Sequence, residues 1–205
     1  NYFDTSTINF DVAIDMLKSA CLLNDSDALW KFGTFLRDGS FVAKNEVEAL
    51  SLFQRSSNLG NPNGKVCYAN YLVKTTKKKL VFNDDSAKCY ENVIQNRITA
   101  FQLFKQSYES DNRDGAWCYA NCLMRGIGCQ SNQALALSIF LYLSNKYNDK
   151  DAQYQIFKLL MNGVLVKRKS FKTIKSFLSG SLSKLFKNPN SKTTRKNAAN
   201  NSNNN

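Results

Sequence analysis

The sequence contains no histidine among its 205 residues. Ser/His/Asp and Cys/His triads, histidine-ligated metals and imidazole proton shuttles are therefore excluded, and with them the commonest acid–base machinery of enzymes. A glycine-rich phosphate-binding loop, a nucleophile elbow and a catalytic pair of acids are also missing. We therefore expect no catalytic residue, no bound cofactor and no metal site, and a protein that is not an enzyme.

Proline and glycine are scarce, with two and nine residues, whereas 43% of the residues are hydrophobic. This composition favours an all-α protein over a sandwich of short strands. No apolar run approaches the roughly 18 residues that cross a bilayer, so we expect no transmembrane segment. The sequence starts at Asn1 in a helical rhythm and its first methionine is Met16, which predicts a piece of a longer polypeptide.

Acidic residues are missing from the C-terminal part of the chain. Residues 163–205 contain ten Lys and Arg and no Asp or Glu, whereas residues 1–162 contain 18 basic and 16 acidic residues. The net charge of +12 therefore comes mainly from the C-terminal part, and the remainder is nearly neutral. We expect no specific nucleic acid as a partner, because the basic residues of the tail 188–205 have no interleaved aromatic side chains to stack on bases.

Two segments make up most of this basic part. Residues 167–187 carry apolar residues at helical spacing, and two interpretations stay open: a closing helix that covers the last repeat, or a helix in weak contact with an anionic membrane surface. Residues 188–205 are mostly Asn, Lys, Ser and Thr. Such a composition cannot offset the entropy of ordering, so we predict a disordered tail.

Two half-motifs recur along the chain. The first is a small residue, then a small or aromatic residue five positions later, then an apolar residue two positions beyond. It occurs at Ala28, Gly33 and Phe35; at Gly64, Ala69 and Tyr71; at Gly115, Ala120 and Cys122; and at Ala152, Phe157 and Leu159. The other is an alanine followed four residues later by a large apolar residue. It occurs at Ala13 and Leu17, Ala49 and Phe53, Ala100 and Phe104, and Ala136 and Phe140, with a degenerate copy at Thr173 and Phe177.

Each complete unit is predicted to form a helix, a turn and a second helix. Glycines separate the two halves at Gly39 and Gly126, and Gly163 occupies the same place; there we predict left-handed backbone that ends the first helix. Neither helix could bury its apolar face alone, so the units must stack. We predict an all-α, right-handed α-α superhelical solenoid of about four to five helix-turn-helix repeats over residues 8–187. Its units are about 8–26 (partial), 27–62, 63–113, 114–150 and 151–187 (degenerate).

One unit is longer than the others. The alanine anchors and Thr173 are 36, 51, 36 and 37 residues apart, so the unit 63–113 carries the extra residues. We assign them to an insertion at 74–96, which opens with three consecutive lysines. We expect this insertion to project as a surface loop.

The stretches DALWKFGTFLRDGSFVAKNEVEALSLFQRSSNLGNP and GAWCYANCLMRGIGCQSNQALALSIFLYLSNKYNDKDA resemble the Sel1-like (suppressor-enhancer-of-lin type) repeat, a relative of the tetratricopeptide repeat. The resemblance covers roughly residues 8–180. The glycine loop between helices and a period of 36 or more favour this family over the tetratricopeptide repeat, whose period is about 34. The second unit departs from the pattern because it lacks the loop glycine, and the last unit because Thr173 replaces an alanine.

The six cysteines do not recur in every unit, although Cys67 and Cys118 occupy equivalent positions of two units. Cys118 and Cys122 have Lys31 and Phe35 at the equivalent positions of another unit, which argues against a metal site. Certain bacterial members of the Sel1-like family join cysteines eight residues apart; Cys21 fills the first place of that pattern, but Leu29 fills the second. We therefore expect reduced thiols in the cytoplasm, with association with the endoplasmic reticulum as the alternative.

The resemblance implies a non-catalytic scaffold or adaptor that holds a protein or peptide partner on the solenoid surface. Family members serve in protein-degradation complexes of the endoplasmic reticulum, beside kinases and as signalling scaffolds. The alternative is the C-terminal regulatory repeat region of a larger enzyme such as a protein kinase. The sequence alone leaves the partner-binding residues unknown.

Overall fold

The computed structural model describes residues 10–81 and 87–163. These residues form eight helices in chain order: α1 (Phe10–Leu22), α2 (Ser26–Asp38), α3 (Glu46–Asn58), α4 (Pro62–Val81), α5 (Ala87–Glu109), α6 (Arg113–Arg125), α7 (Gln133–Tyr147) and α8 (Lys150–Met161). Each helix packs against the next, and in addition α2 packs against α4 and α4 against α6. The predicted all-α repeat solenoid is confirmed.

The helices fall into two sets. We call α2, α4, α6 and α8 the first helices of their units, and α1, α3, α5 and α7 the second helices. Since α2, α4 and α6 contact one another directly, the first helices form a row, and we call the side of that row facing away from the second helices the inner surface. The predicted closing segment 167–187, the tail 188–205 and the anchors Thr173 and Phe177 lie outside the described residues.

An Asp or Asn side chain caps the start of each first helix. The caps are Asp25, Asn61, Asn112 and Asp149, and each accepts a hydrogen bond from the backbone N–H three residues further on. Asn45 and Asn132 cap α3 and α7 in the same way. These side chains satisfy N–H groups that a helix start leaves without a partner.

The glycines between the two helices of a unit adopt the predicted left-handed backbone. Gly39 has a φ of 71° and Gly126 a φ of 70°. Their N–H groups donate to the carbonyl oxygens of Phe35 and Cys122, which closes the last turn of α2 and α6. Gly163, which follows α8, has a φ of 75°.

Residues 74–81 and 87–96 of the insertion are helical, so the prediction of a surface loop over all of 74–96 is wrong. The helix α4 has 20 residues and α5 has 23, whereas α2, α3 and α6 have 13 each. The added residues within these two helices include neither glycine nor proline, so nothing in them stops helical hydrogen bonding. Asn96, which is equivalent to the caps Asn45 and Asn132, therefore lies inside α5.

The alanine and phenylalanine anchors of α3, α5 and α7 lie in the core, whereas the predicted anchor Ala13 of α1 is exposed. Ala49, Ala100 and Ala136 are at most 2% exposed. Phe53, Phe104 and Phe140 are at most 3% exposed. Burying one such phenylalanine contributes about 1.5–3 kcal/mol, so the repeated pair supplies a continuous core along the stacked units.

Candidate protein-binding surface

Buried serines hold neighbouring first helices together. The hydroxyl of Ser56 in α3 donates to the carbonyl oxygen of Ser26 at 2.7 Å, and that of Ser107 in α5 donates to the carbonyl oxygen of Pro62 at 2.9 Å. Ser26 and Pro62 are the first residues of α2 and α4. Each serine also contacts a glycine of the next first helix, so it lies where three helices meet.

Polar pairs join successive units at the N-terminal ends of the first helices. The Asn61 side-chain amide donates to Asp27 at 2.7 Å, and the Asn112 amide donates to Asn63 at 2.7 Å. Arg113 donates to the Asp149 carboxylate at 2.6 Å. One pair is thus present between each two neighbouring first helices from α2 to α8, and together they fix the row that carries the inner surface.

The Asp149 carboxylate is the most buried of these charged groups, with 5% of its side chain exposed. Burial alone would raise the pKa of Asp149, but the N–H of Ala152 and the guanidinium of Arg113 stabilise the carboxylate. The pKa of Asp149 is therefore held below its ordinary value.

A groove opens between the C-terminal half of α2 and the middle of α4, with a volume of about 110 Å³. Its floor comes from Ala49, Leu50 and Phe53 of α3. Its rim carries polar and charged side chains, namely Arg37, Glu46, Cys67, Asn70, Tyr71 and Lys74. A hydrophobic floor beneath convergent polar groups is the usual composition of a binding groove.

Arg37 is held in place by its neighbours at this rim. Its Nε and Nη2 donate to the Asp38 carboxylate at 2.7 and 2.9 Å, and its guanidinium lies 5.9 Å from the centre of the Phe53 ring. The hydrogen bond to Asp38 raises the pKa of Arg37 and lowers the pKa of Asp38. The third nitrogen, Nη1, is 3.9 Å from the sulfur of Cys67.

A second, more polar groove lies between the N-terminal ends of α6 and α8. It is lined by Arg113, Asp114, Trp117, Asp149 and Asp151. The ion pair between Arg113 and Asp149 crosses this groove, so these two charged groups already bind each other and join α6 to α8.

The two tryptophans occupy equivalent positions in α2 and α6, and both are half-buried. The ring of Trp117 meets Phe140 edge-on with centroids 5.3 Å apart. Trp30 packs against the core cluster that α1, α2 and α3 form, with the Lys31 ammonium 5.5 Å from its ring centre. Both indoles therefore contribute to packing between helices.

Cys21, Cys67, Cys118, Cys122 and Cys129 are free thiols, and Cys21 and Cys122 are buried. Burial raises the pKa of Cys118 to about 12, helped by the charge of Asp114, and burial also raises the pKa of Cys122 to about 12. Thiols with such pKa values are almost fully protonated near neutral pH and are poor nucleophiles. Across residues 10–81 and 87–163, no three His, Cys, Asp or Glu side chains come together as a metal site would need.

Sequence reasoning did not find the groove residues, and the structure brings Arg37, Asn70 and Lys74 together at one rim. One signal was available: Lys74 and Arg125 are 51 residues apart, which is the interval between their two units.

Within the described part of the chain, no helix is both long and apolar enough to span a membrane.

Among solved structures, the chain is similar to a Sel1 repeat protein from Oxalobacter formigenes, with a TM-score of 0.51 and 12% sequence identity over 71% of this chain and 98% of that chain. A protective antigen of uropathogenic Escherichia coli strains, which displays an SLR fold, matches with a TM-score of 0.39 and 17% identity over 74% of this chain and 37% of that chain. No protein-family model and no curated protein match the sequence. The Sel1 repeat predicted from the sequence is confirmed at the level of the fold.

Proposed function

We propose that this chain, whose fold is that of a Sel1 repeat protein, is a non-catalytic scaffold or adaptor that binds a protein or peptide partner. The observation that carries this proposal is the row of first helices. Hydrogen bonds from Ser56, Ser107, Asn61 and Asn112 hold α2, α4 and α6 side by side. The inner surface of that row keeps an open groove whose rim includes the exposed polar side chains of Arg37, Asn70 and Lys74.

The state of the ionisable side chains supports binding over catalysis. The thiols whose pKa is raised to about 12 are those of the half-buried Cys118 and the buried Cys122, and desolvation keeps both protonated. The shifted carboxylates of Asp38, Asp111 and Asp149 are each engaged by a cation of the fold. A general acid or base needs a pKa near the working pH and access to a substrate, whereas these groups stabilise the structure.

A second candidate is the regulatory repeat region of a larger enzyme such as a protein kinase. The row of first helices would serve that role as well, because a regulatory module also acts by binding a protein surface. Sequencing the complete reading frame distinguishes the two. A glycine-rich loop and a catalytic-loop motif upstream would establish the regulatory role, and a frame without them would leave the adaptor role.

Proximity labelling in the native cells tests the scaffold proposal. The full-length gene product is compared with one that lacks residues 27–163 and with one that lacks residues 164–205. We expect a set of neighbours to disappear with the repeats and to survive loss of the C-terminal part, and their identities would distinguish signalling from protein-degradation complexes. Neighbours that depend only on residues 164–205 would contradict the scaffold role.

We place the protein in the cytoplasm, with association with the endoplasmic reticulum as the alternative. The free thiols of the described residues support the first, because paired cysteines are typical of oxidising compartments. The segment 167–187 lies outside the described residues, and we retain weak membrane-surface contact as its alternative role. Sedimentation with anionic vesicles at low salt, with and without residues 164–205, tests that contact.

A further inference from the structure

Three cations lie on three neighbouring first helices, two of them at the C-terminal ends of α2 and α6 and the third seven residues before the end of α4. They are Arg37 on α2, Lys74 on α4 and Arg125 on α6, and all three are exposed. Lys74 and Arg125 are at equivalent positions of their units, and α4 packs directly against α6. Neither of these two side chains forms a salt bridge with the described residues.

Asp38 and Glu46, the acidic side chains near these cations, are each paired with a cation. Asp38 engages two nitrogens of Arg37, which leaves Nη1 with only a weak contact to Cys67. The only acidic side chain that lines the described groove is Glu46, and it pairs with Lys44 at 2.9 Å. The local charge balance thus favours an anionic ligand at Lys74 and Arg125.

Asn70 supplies a neutral polar group one helical turn before Lys74. Its side-chain oxygen is 4.0 Å from the Cys118 sulfur, and its amide nitrogen is available to donate to a backbone carbonyl of a ligand. Beside it, Leu50 and Phe53 form an apolar floor that an aliphatic side chain can cover. The groove therefore combines an apolar floor, an amide and the ammonium of Lys74, and Arg125 lies on the neighbouring helix α6.

The distance between the two cations sets the spacing of the ligand. Packed helices have axes about 8–10 Å apart, and an extended peptide advances about 3.3 Å per residue. Carboxylates about three residues apart would therefore reach Lys74 and Arg125 at the same time. The chain's own residues 163–205 contain no acidic residue, so that segment does not have the chemistry of this ligand.

We propose that the inner surface binds an extended acidic segment of a partner protein, with an aliphatic side chain in the groove over Phe53 and two carboxylates facing Lys74 and Arg125. This inference rests on the proposed scaffold function and adds the chemical class of the partner. The two cations position the segment along the row, and Asn70 fixes its backbone.

Fluorescence anisotropy with labelled synthetic peptides tests the proposal on the full chain. The probe peptide carries a leucine followed by two aspartates three residues apart; one control has the same composition in scrambled order, and another has asparagine in place of aspartate. We expect the probe to bind more tightly than both controls and to weaken with salt. Lys74→Glu and Arg125→Glu should each reduce its affinity about two- to fivefold, and about tenfold together.

Lys150→Glu is the matched control variant, because it makes the same change of charge at an exposed residue at the opposite end of a first helix. It should leave binding unchanged, and circular dichroism should show the same helix content for all variants. Equal affinity for the scrambled peptide, equal binding of polyuridylate, or no effect of the two charge reversals would overturn the proposal. If the peptides fail while the repeats still determine the labelled neighbours, only the acidic-segment inference is wrong; if both fail, the scaffold function is wrong as well.

Discussion

Ser56 and Gly64 are in such close contact that a Cβ atom added to Gly64 would lie 2.7 Å from the Cβ of Ser56. The same relationship recurs in the next unit, where a Cβ on Gly115 would lie 2.6 Å from that of Ser107. In both units the serine hydroxyl bonds the start of the preceding first helix. A glycine is thus needed at this position because any larger residue would clash with the hydrogen-bonded serine of the preceding helix.

Gly64→Ala should destabilise the protein by about 1–3 kcal/mol, because the new methyl group overpacks a site that cannot expand without moving α3 or α4. Alanine stabilises a helix by about 1 kcal/mol relative to glycine. The measured loss in the free energy of unfolding is therefore the overpacking cost minus this contribution. Urea denaturation of the variant and the wild-type chain measures the difference. Lys65→Ala, at the next position of α4, is the control and should change stability by no more than about 0.5 kcal/mol. A Gly64→Ala protein as stable as the wild type would show that the two helices can separate without cost.

The spacing of small residues was enough to predict these close approaches. At Gly33, for example, a Cβ would lie 2.8 Å from Cε1 of Phe53. The helical insertion was not predicted, because lysines and asparagines at 74–96 suit a loop as well as a helix, and only the packing of α4 on α5 distinguishes them. The groove could not be predicted either, since exposed residues such as Asn70 and Lys74 follow no apolar period. Their proximity depends on which helices become neighbours in the stack.

Asp149→Asn should reduce the sensitivity of the protein to acid. Asparagine can still cap α8, but it cannot form the ion pair with Arg113. The pKa of Asp149 is lowered in the folded state, so its carboxylate stabilises the fold above the unfolded pKa of about 4, and this contribution is lost as the pH falls through the folded pKa. The free energy of unfolding of the wild type should therefore fall more steeply below about pH 4 than that of the variant.

Urea denaturation at several pH values measures both curves. The other carboxylates titrate in both proteins, so the difference between the curves isolates Asp149. Asp149→Ala is the companion variant: it removes the cap as well and should cost about 0.5–2 kcal/mol at neutral pH. Parallel curves for the wild type and Asp149→Asn would contradict an ionised, stabilising Asp149.

Cys118 and Cys122 should resist alkylation in the native protein. Each has a pKa of about 12 because of burial, so only about one thiol in ten thousand is a thiolate at pH 8. Iodoacetamide treatment followed by peptide mass spectrometry should find both residues largely unmodified under native conditions and fully modified in denaturant. Rapid native modification of Cys122, which is 4% exposed, would mean that α6 opens readily.

Gly60→Asn should be tolerated, although Gly60 has a φ of 91°. The equivalent turns before α2, α6 and α8 place Asn24, Asp111 and Asn148 in left-handed backbone, with φ values of 58°, 59° and 51°. No heavy atom lies within 4 Å of a Cβ added at Gly60, so backbone conformation alone decides the outcome. Asparagine adopts this region more easily than other non-glycine residues and restricts the unfolded chain more than glycine does.

We expect Gly60→Asn to be within about 0.5 kcal/mol of the wild type and Gly60→Val to lose about 1–2 kcal/mol, both measured by urea denaturation. If the asparagine and valine variants lose the same stability, the turns of the four units do not share one backbone requirement. The matching of positions between units, which makes Lys74 equivalent to Arg125, would then have less support.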